Sequence, residues 1–157
     1  MEFSFIRAFS LLMIPSTGEM QSASFWLEKG NELCNSGQGD EAIKAYDHAL
    51  EIDRALFEAW NNKGMVLASL GRFPESLQCF KEALNLSPSH KQALSNMGMV
   101  LAQQKKYGEA LGCFDAAIAV DPYFAGAWYN KALALQCLDL KREASAAMKT
   151  AKALEGS

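Results

Sequence analysis

Two histidines, His48 and His90, are all this chain of 157 residues has of the side chain that most often binds metals and moves protons. Neither lies within four residues of a cysteine or of the other histidine, so a zinc site or a histidine-assisted nucleophile would have to be assembled from very few parts. The four cysteines, Cys34, Cys79, Cys113 and Cys137, include no C-x-x-C pair. That removes thiol-clasped metals and dithiol chemistry and leaves free thiols, buried as small apolar groups, as their expected state. No G-x-S-x-G, glycine-rich phosphate loop or H-E-x-x-H occurs. The expectation is a chain with no catalytic residues, no metal and no cofactor.

Charge of one sign is also scarce. Fifteen basic against eighteen acidic residues leave a formal charge of −3 with no block of like charge, which lacks the electrostatic footprint of a nucleic-acid binder. Four prolines and eleven glycines are close to average usage and exclude collagen-like and linker classes, while 50% apolar residues exceed what a disordered chain carries. The longest apolar stretch, Phe3 to Ile14, is interrupted by Arg7 and falls well short of the ~20 residues of a membrane span. A secretory signal would want positive charge ahead of its apolar core, yet the first charge is Glu2. Four unpaired thiols suit a reducing compartment, so a cytoplasmic location is expected.

Pro15-Ser16-Thr17-Gly18 is a cluster of breakers that sets residues 1–22 apart as a leader. Phe5, Ile6, Phe9, Leu12 and Met13 would share one helical arc opposite Ser4, Arg7 and Ser10. Two readings stay open: a segment that docks or is disordered, or a start misassigned upstream of Met20.

What the chain does have is a period. Shifting it on itself by 34 residues superposes four segments, 23–56, 57–90, 91–124 and 125–157, without a gap. The fourth position of each reads Trp26, Trp60, Leu94 and Trp128; the eighth reads Gly30, Gly64, Gly98 and Ala132; the eleventh is always leucine, at 33, 67, 101 and 135. The twentieth reads Ala42, Ser76, Ala110 and Ala144, the twenty-fourth Tyr46, Phe80, Phe114 and Met148, and the twenty-seventh is alanine every time. Steps of three and four residues bring these side chains onto one face, so each repeat is read as two helices, eight in all. Small residues at positions 8, 20 and 27 let the pair approach, and large ones at 4, 11 and 24 fill the gaps. Ser87-Pro88 and Asp121-Pro122 are read as an N-cap followed by a first-turn proline, and Pro74 as the opening of a second helix.

These positions spell W-x-x-L-G-x-x-Y, then A-x-x-x-F, then A and P, and in them residues 23–157 resemble the tetratricopeptide repeat family. Lys29, Lys63, Met97 and Lys131 stand where the family has leucine, the leucines at the eleventh position where it has tyrosine, and Arg54 where it has its first proline. The resemblance implies an all-α fold, a right-handed α-α superhelix of four repeats. It also implies a non-catalytic, adaptor-like role binding an extended peptide or partner protein in the concave groove. The alternative is a structural or self-assembly module, either a piece of a longer array or a homodimer.

In the family the first helix of each repeat lines the groove. Carried onto this chain, that gives Asn31, Asn61, Asn62, Met65, Asn96, Met99, Tyr129, Asn130 and Leu133 as the candidate peptide-binding residues. Asn62, Asn96 and Asn130 recur at the sixth position and resemble the asparagine ladder with which a related repeat domain holds a peptide backbone. Glu28 takes that position in the first repeat. Glu28 and Glu58 are the only formal charges at the groove positions, so the expected ligand is neutral to basic. Co-chaperone members grip the carboxylate of heat-shock chaperones with two lysines, an arginine and two asparagines. The corresponding positions here read Leu27, Asn31, Asn62, Gln92 and Asn96, without a cation, so that clamp is not expected.

Overall fold

The structure, a computed structural model, describes residues 22–156; the apolar arc of residues 5–13 and Met20 lie outside them. Eight helices follow one another: α1 (Ala23–Asn35), α2 (Gly39–Ile52), α3 (Phe57–Ser69), α4 (Phe73–Leu86), α5 (Lys91–Gln103), α6 (Tyr107–Val120), α7 (Ala125–Cys137) and α8 (Lys141–Glu155). Odd-numbered helices begin at the first position of every repeat and even-numbered ones at the seventeenth. No strand occurs among the described residues, and none of their helices is long and apolar enough to cross a membrane.

Each helical pair closes through one local device. In the turn between the two helices, position 15 takes a left-handed backbone, at Gly37 and Gly71 (φ 75°), Lys105 (φ 61°) and Asp139 (φ 59°). The next residue then donates its N–H back to the leucine carbonyl at position 11, from Gln38 to Leu33 and Arg72 to Leu67, each at 2.9 Å. Lys106 and Leu140 do the same to Leu101 and Leu135. This six-to-one bond satisfies a carbonyl that the helix end would otherwise leave unpaired.

Tyr46, Phe80 and Phe114 are the largest side chains fully buried, each contributing about 1.5–3 kcal/mol relative to exposure. They lie in the helix pair's interior against the small residue at position 8. The core then runs on from repeat to repeat: Ala42, Ile43 and Tyr46 of the first meet Val66 and Leu67 of the second. Successive odd-numbered helices touch one another (α1 with α3, α3 with α5, α5 with α7), whereas no two even-numbered helices do. The odd helices therefore line the inside of the curve, and the array is an all-α superhelix with a concave face made by α1, α3, α5 and α7.

Two expectations are corrected. Pro74 does open α4, but Ser87-Pro88 and Asp121-Pro122 start no helix. Ser87 and Asp121 end α4 and α6, and α5 and α7 each begin four residues later, behind His90 and Phe124. The Asp121 carboxylate instead accepts the N–H of Tyr123 at 2.9 Å, as Asp53 accepts that of Ala55, closing an Asx turn between repeats. The cysteines also divide. Cys79 is buried and Cys113 half-buried, but Cys34 and Cys137 are exposed.

The lysines that replace the family's leucine at position 7 have partners. Lys63 pairs with Asp47 of the preceding repeat, and Lys131 with Asp115 at 2.6 Å; each ammonium also lies over the tryptophan one turn earlier, Trp60 or Trp128. Trp60 and Trp128 reach back in turn, donating their indole N–H to the carbonyls of Arg54 and Pro122 at 2.9 Å.

Candidate functional site

The concave face collects four of the large apolar side chains that remain in water: Met65 (49% exposed), Met99 (40%), Tyr129 (44%) and Leu133 (39%). Met65, Met99 and Leu133 share position 9, so the curvature that brings the odd helices together lines them up along the groove. Leu27, also a groove position by resemblance, faces instead into the core beside Trp26, Trp60 and Leu56.

The asparagines do not form a uniform ladder. Asn31 Oδ1 accepts two hydrogen bonds, from the Tyr46 hydroxyl and from Asn62 Nδ2, both at 2.9 Å. Asn62 Oδ1 accepts from Asn61 Nδ2 at 3.1 Å. Asn61 Nδ2 also approaches Met65 Sδ at 3.9 Å, while its own Oδ1 is buried without a partner among the described residues. Further along, Asn130 Nδ2 reaches Ser95 Oγ at 3.4 Å, and the Asn96 amide bonds no other described residue. Asn62 and Asn130 thus bridge α3 to α1 and α7 to α5, which ties neighbouring helices together. Each still has a second N–H on its Nδ2 for a ligand.

Two cavities open onto this face at equivalent junctions. One, of about 370 Å³, lies between the first two repeats and is lined by Asn31, Cys34, Asn35, Tyr46, Asn62 and Met65. The other, of about 330 Å³, lies between the third and fourth and is lined by Met99, Ala102, Gln103, Tyr107, Phe114, Asn130, Leu133, Ala134 and Cys137. Position 9 supplies Asn31 to the first and Met99 to the second; position 24 supplies Tyr46 to the first and Phe114 to the second. The same architectural slot is polar at one junction and apolar at the other. Burial, with a smaller contribution from Cys34, pushes the Tyr46 phenol up to about 12, so its hydroxyl stays a donor to Asn31 at any ordinary pH. At the second slot a hydrogen bond with Cys137 holds the Tyr107 phenol above its usual value.

The structure therefore brings Asn31, Asn62 and Met65 together at one slot and Met99, Asn130 and Leu133 at the other, with Asn61 beside the first. Asn96 and the exposed Tyr129 line neither cavity. Tyr46, Tyr107 and Phe114, which complete the slots from the second helices, are absent from the residues chosen by sequence. The tyrosine-to-phenylalanine change at position 24 was the one signal for Tyr46 and Phe114; Tyr107, at position 17, had none. No cluster of histidine, cysteine and carboxylate side chains able to hold a metal occurs among the described residues.

Comparison with known proteins agrees with this architecture. Models described as tetratricopeptide repeat match residues 56–122 and 95–156, and one described as TPR repeat matches 30–71, together running without a gap from 30 to 156. No curated protein matches. A crystal structure of MamA superposes with a TM-score of 0.83 at 19% identity, over 96% of this chain and 86% of that one. MamA from Desulfovibrio magneticus RS-1, residues 41 to the end, gives 0.78 at 26% identity over 85% and 76%. The first TPR of Spaghetti (RPAP3), bound to the HSP90 peptide SRMEEVD, gives 0.73 at 24% over 76% and 94%. With four helical pairs in one register and repeat models matched from residue 30 to 156, the chain belongs to the tetratricopeptide repeat family.

Proposed function

We propose that this chain is a non-catalytic interaction module that holds an extended peptide, or an extended segment of a partner protein, along the concave face. The observation that carries the reading is the alignment of Met65, Met99 and Leu133, all left in water at one repeat position, beside amides that keep free N–H groups. Contiguous exposed apolar surface on a folded protein marks a place where something docks, and methionine adapts its shape to what arrives. Amides with spare hydrogen-bonding capacity suit a peptide backbone, whose own N–H and C=O groups must be paired once water is excluded.

The RPAP3 repeat domain holds a peptide containing two glutamates and a C-terminal aspartate. The present groove positions offer no cation to such a tail; their formal charges are Glu28 and Glu58. A neutral or basic ligand is the better match, and a chaperone carboxylate clamp is not part of this reading.

The test is affinity for whatever partner the full chain captures, compared with a variant carrying Asn96→Ala, Met99→Asp and Leu133→Asp. We expect binding at least tenfold weaker, or ~1.4 kcal/mol, with helicity unchanged. Unchanged affinity would move the site off the concave face.

A further inference from the structure

We infer that the groove reads its ligand at two separated places: a cationic side chain over the first two repeats and an apolar side chain inserted between the third and fourth, about six residues apart. This rests on the groove reading above and adds to it the chemistry and spacing of the ligand.

The apolar end follows from the slot at the junction of α5 and α7. It is lined by Met99, Ala102, Leu133 and the buried Phe114 beside Gln103, Tyr107 and Asn130, and its volume of about 330 Å³ has room for one leucine, methionine or phenylalanine side chain. The equivalent slot at the junction of α1 and α3 cannot take such a side chain on the same terms. There Asn31 Oδ1 already accepts from Tyr46 and Asn62, and an apolar group would strand the remaining amide N–H groups of Asn31, Asn35 and Asn62 away from water.

The cationic end follows from charge. Glu28 and Glu58, the charged groove positions, both belong to the first two repeats, both are exposed, and neither pairs with a cation among the described residues. The field of the whole array acts in the same direction. Residues 23–56 carry seven acidic against three basic side chains, the middle repeats are balanced, and residues 125–157 carry five basic against three acidic. An approaching peptide is therefore turned with its positive part toward the first repeat.

The spacing is geometric. Glu28 lies on α1 and Glu58 on α3, and with neighbouring inner helices about 8–10 Å apart the interval from them to the slot between α5 and α7 is on the order of 20 Å, which about six extended residues cover at ~3.3 Å each.

The probe is a phage-displayed library of random twelve-residue peptides, selected on the full chain. Enriched peptides should carry lysine or arginine five to seven residues from leucine, methionine or phenylalanine. A synthetic peptide of the enriched type should bind at least tenfold more weakly to Leu133→Asp, and to Glu28→Gln with Glu58→Gln, and the second variant should flatten the salt dependence of binding. Circular dichroism checks that both variants stay folded. Peptides sensitive to Leu133→Asp but enriched in no cation or no fixed spacing would overturn this inference and leave the groove reading standing. Peptides indifferent to every groove variant would overturn both. Tighter binding of a synthetic peptide of residues 1–19 than of any selected sequence would also overturn it, in favour of the chain's own leader as occupant.

Discussion

A Cβ placed on Gly98 would lie 2.6 Å from Cε1 of Phe114. Gly30 stands in the same relation to Tyr46, and Gly64 to Phe80 at 3.1 Å. Where position 24 is the unbranched Met148, position 8 is Ala132, and both are accommodated in one cluster with Leu135 and Ala144. Glycine at position 8 is thus the counterpart of an aromatic ring at position 24, and the choice at one dictates the other. Gly98→Ala should cost about 1–3 kcal/mol, because Phe114 is fully enclosed and cannot step aside. Gly98→Ala with Phe114→Met, which copies the fourth repeat, should recover part of that loss. Urea denaturation of the four proteins in the cycle measures the coupling; strictly additive effects would contradict the pairing.

Lys105 holds the left-handed backbone that glycine holds in the first two repeats. Lys105→Gly should therefore stabilise the chain by about 0.5–1 kcal/mol, the relief of the left-handed strain exceeding the entropy that glycine loses on folding. Asp139→Gly should gain less, since aspartate tolerates this region better than lysine. Thermal melts of the two single variants check both the sign and the order.

Burial raises the Cys79 thiol to about 11 and the Tyr46 phenol to about 12 from ordinary values of 9.0 and 10.0. Both groups lose a proton more readily when unfolded, so the unfolded state is favoured as pH rises. Their contribution to stability is complete below about pH 9 and declines between pH 9 and 12. Denaturant midpoints measured from pH 7 to 11 should fall at the alkaline end, with a smaller fall in Cys79→Ala. At pH 8 a thiol reagent should label Cys34 and Cys137 in the native protein and Cys79 only on unfolding.

Ile43 and Leu50 of the first repeat are buried at 6% exposure against the second. The equivalent residues of α8 are Ser145 and Lys152, both exposed beside a cavity of about 500 Å³ lined also by Met148, Lys141 and Lys149. A polar outer face of this kind keeps the end of a repeat stack in water. Ser145→Leu with Lys152→Leu should make the protein associate as its concentration is raised, seen by light scattering. A double variant as soluble and monomeric as the parent would remove the capping role.

Much of the fold was legible along the chain because helical periodicity is a local property, and a 34-residue period repeated four times marks each element more than once. The prolines at 88 and 122 misled because Ser-Pro and Asp-Pro have the same composition at a helix start and at an Asx turn, and only the path of the following residues tells the two apart. Lys63 and Lys131 at position 7 looked like departures until Asp47 and Asp115, one repeat earlier, supplied their charges. Similarity placed the groove on the odd helices and its residues on that face, but the asparagine row implied there is not uniform. The Asn31 oxygen is taken up by residues 15 and 31 positions away, on two other helices. What distinguishes the polar slot from the apolar one is the meeting of position 9 with position 24 of the same repeat, Asn31 with Tyr46 against Met99 with Phe114, while position 6 of the next repeat is asparagine at both. Spacing along a chain reports which face a side chain occupies; which three faces close around one cavity depends on how the helices stack.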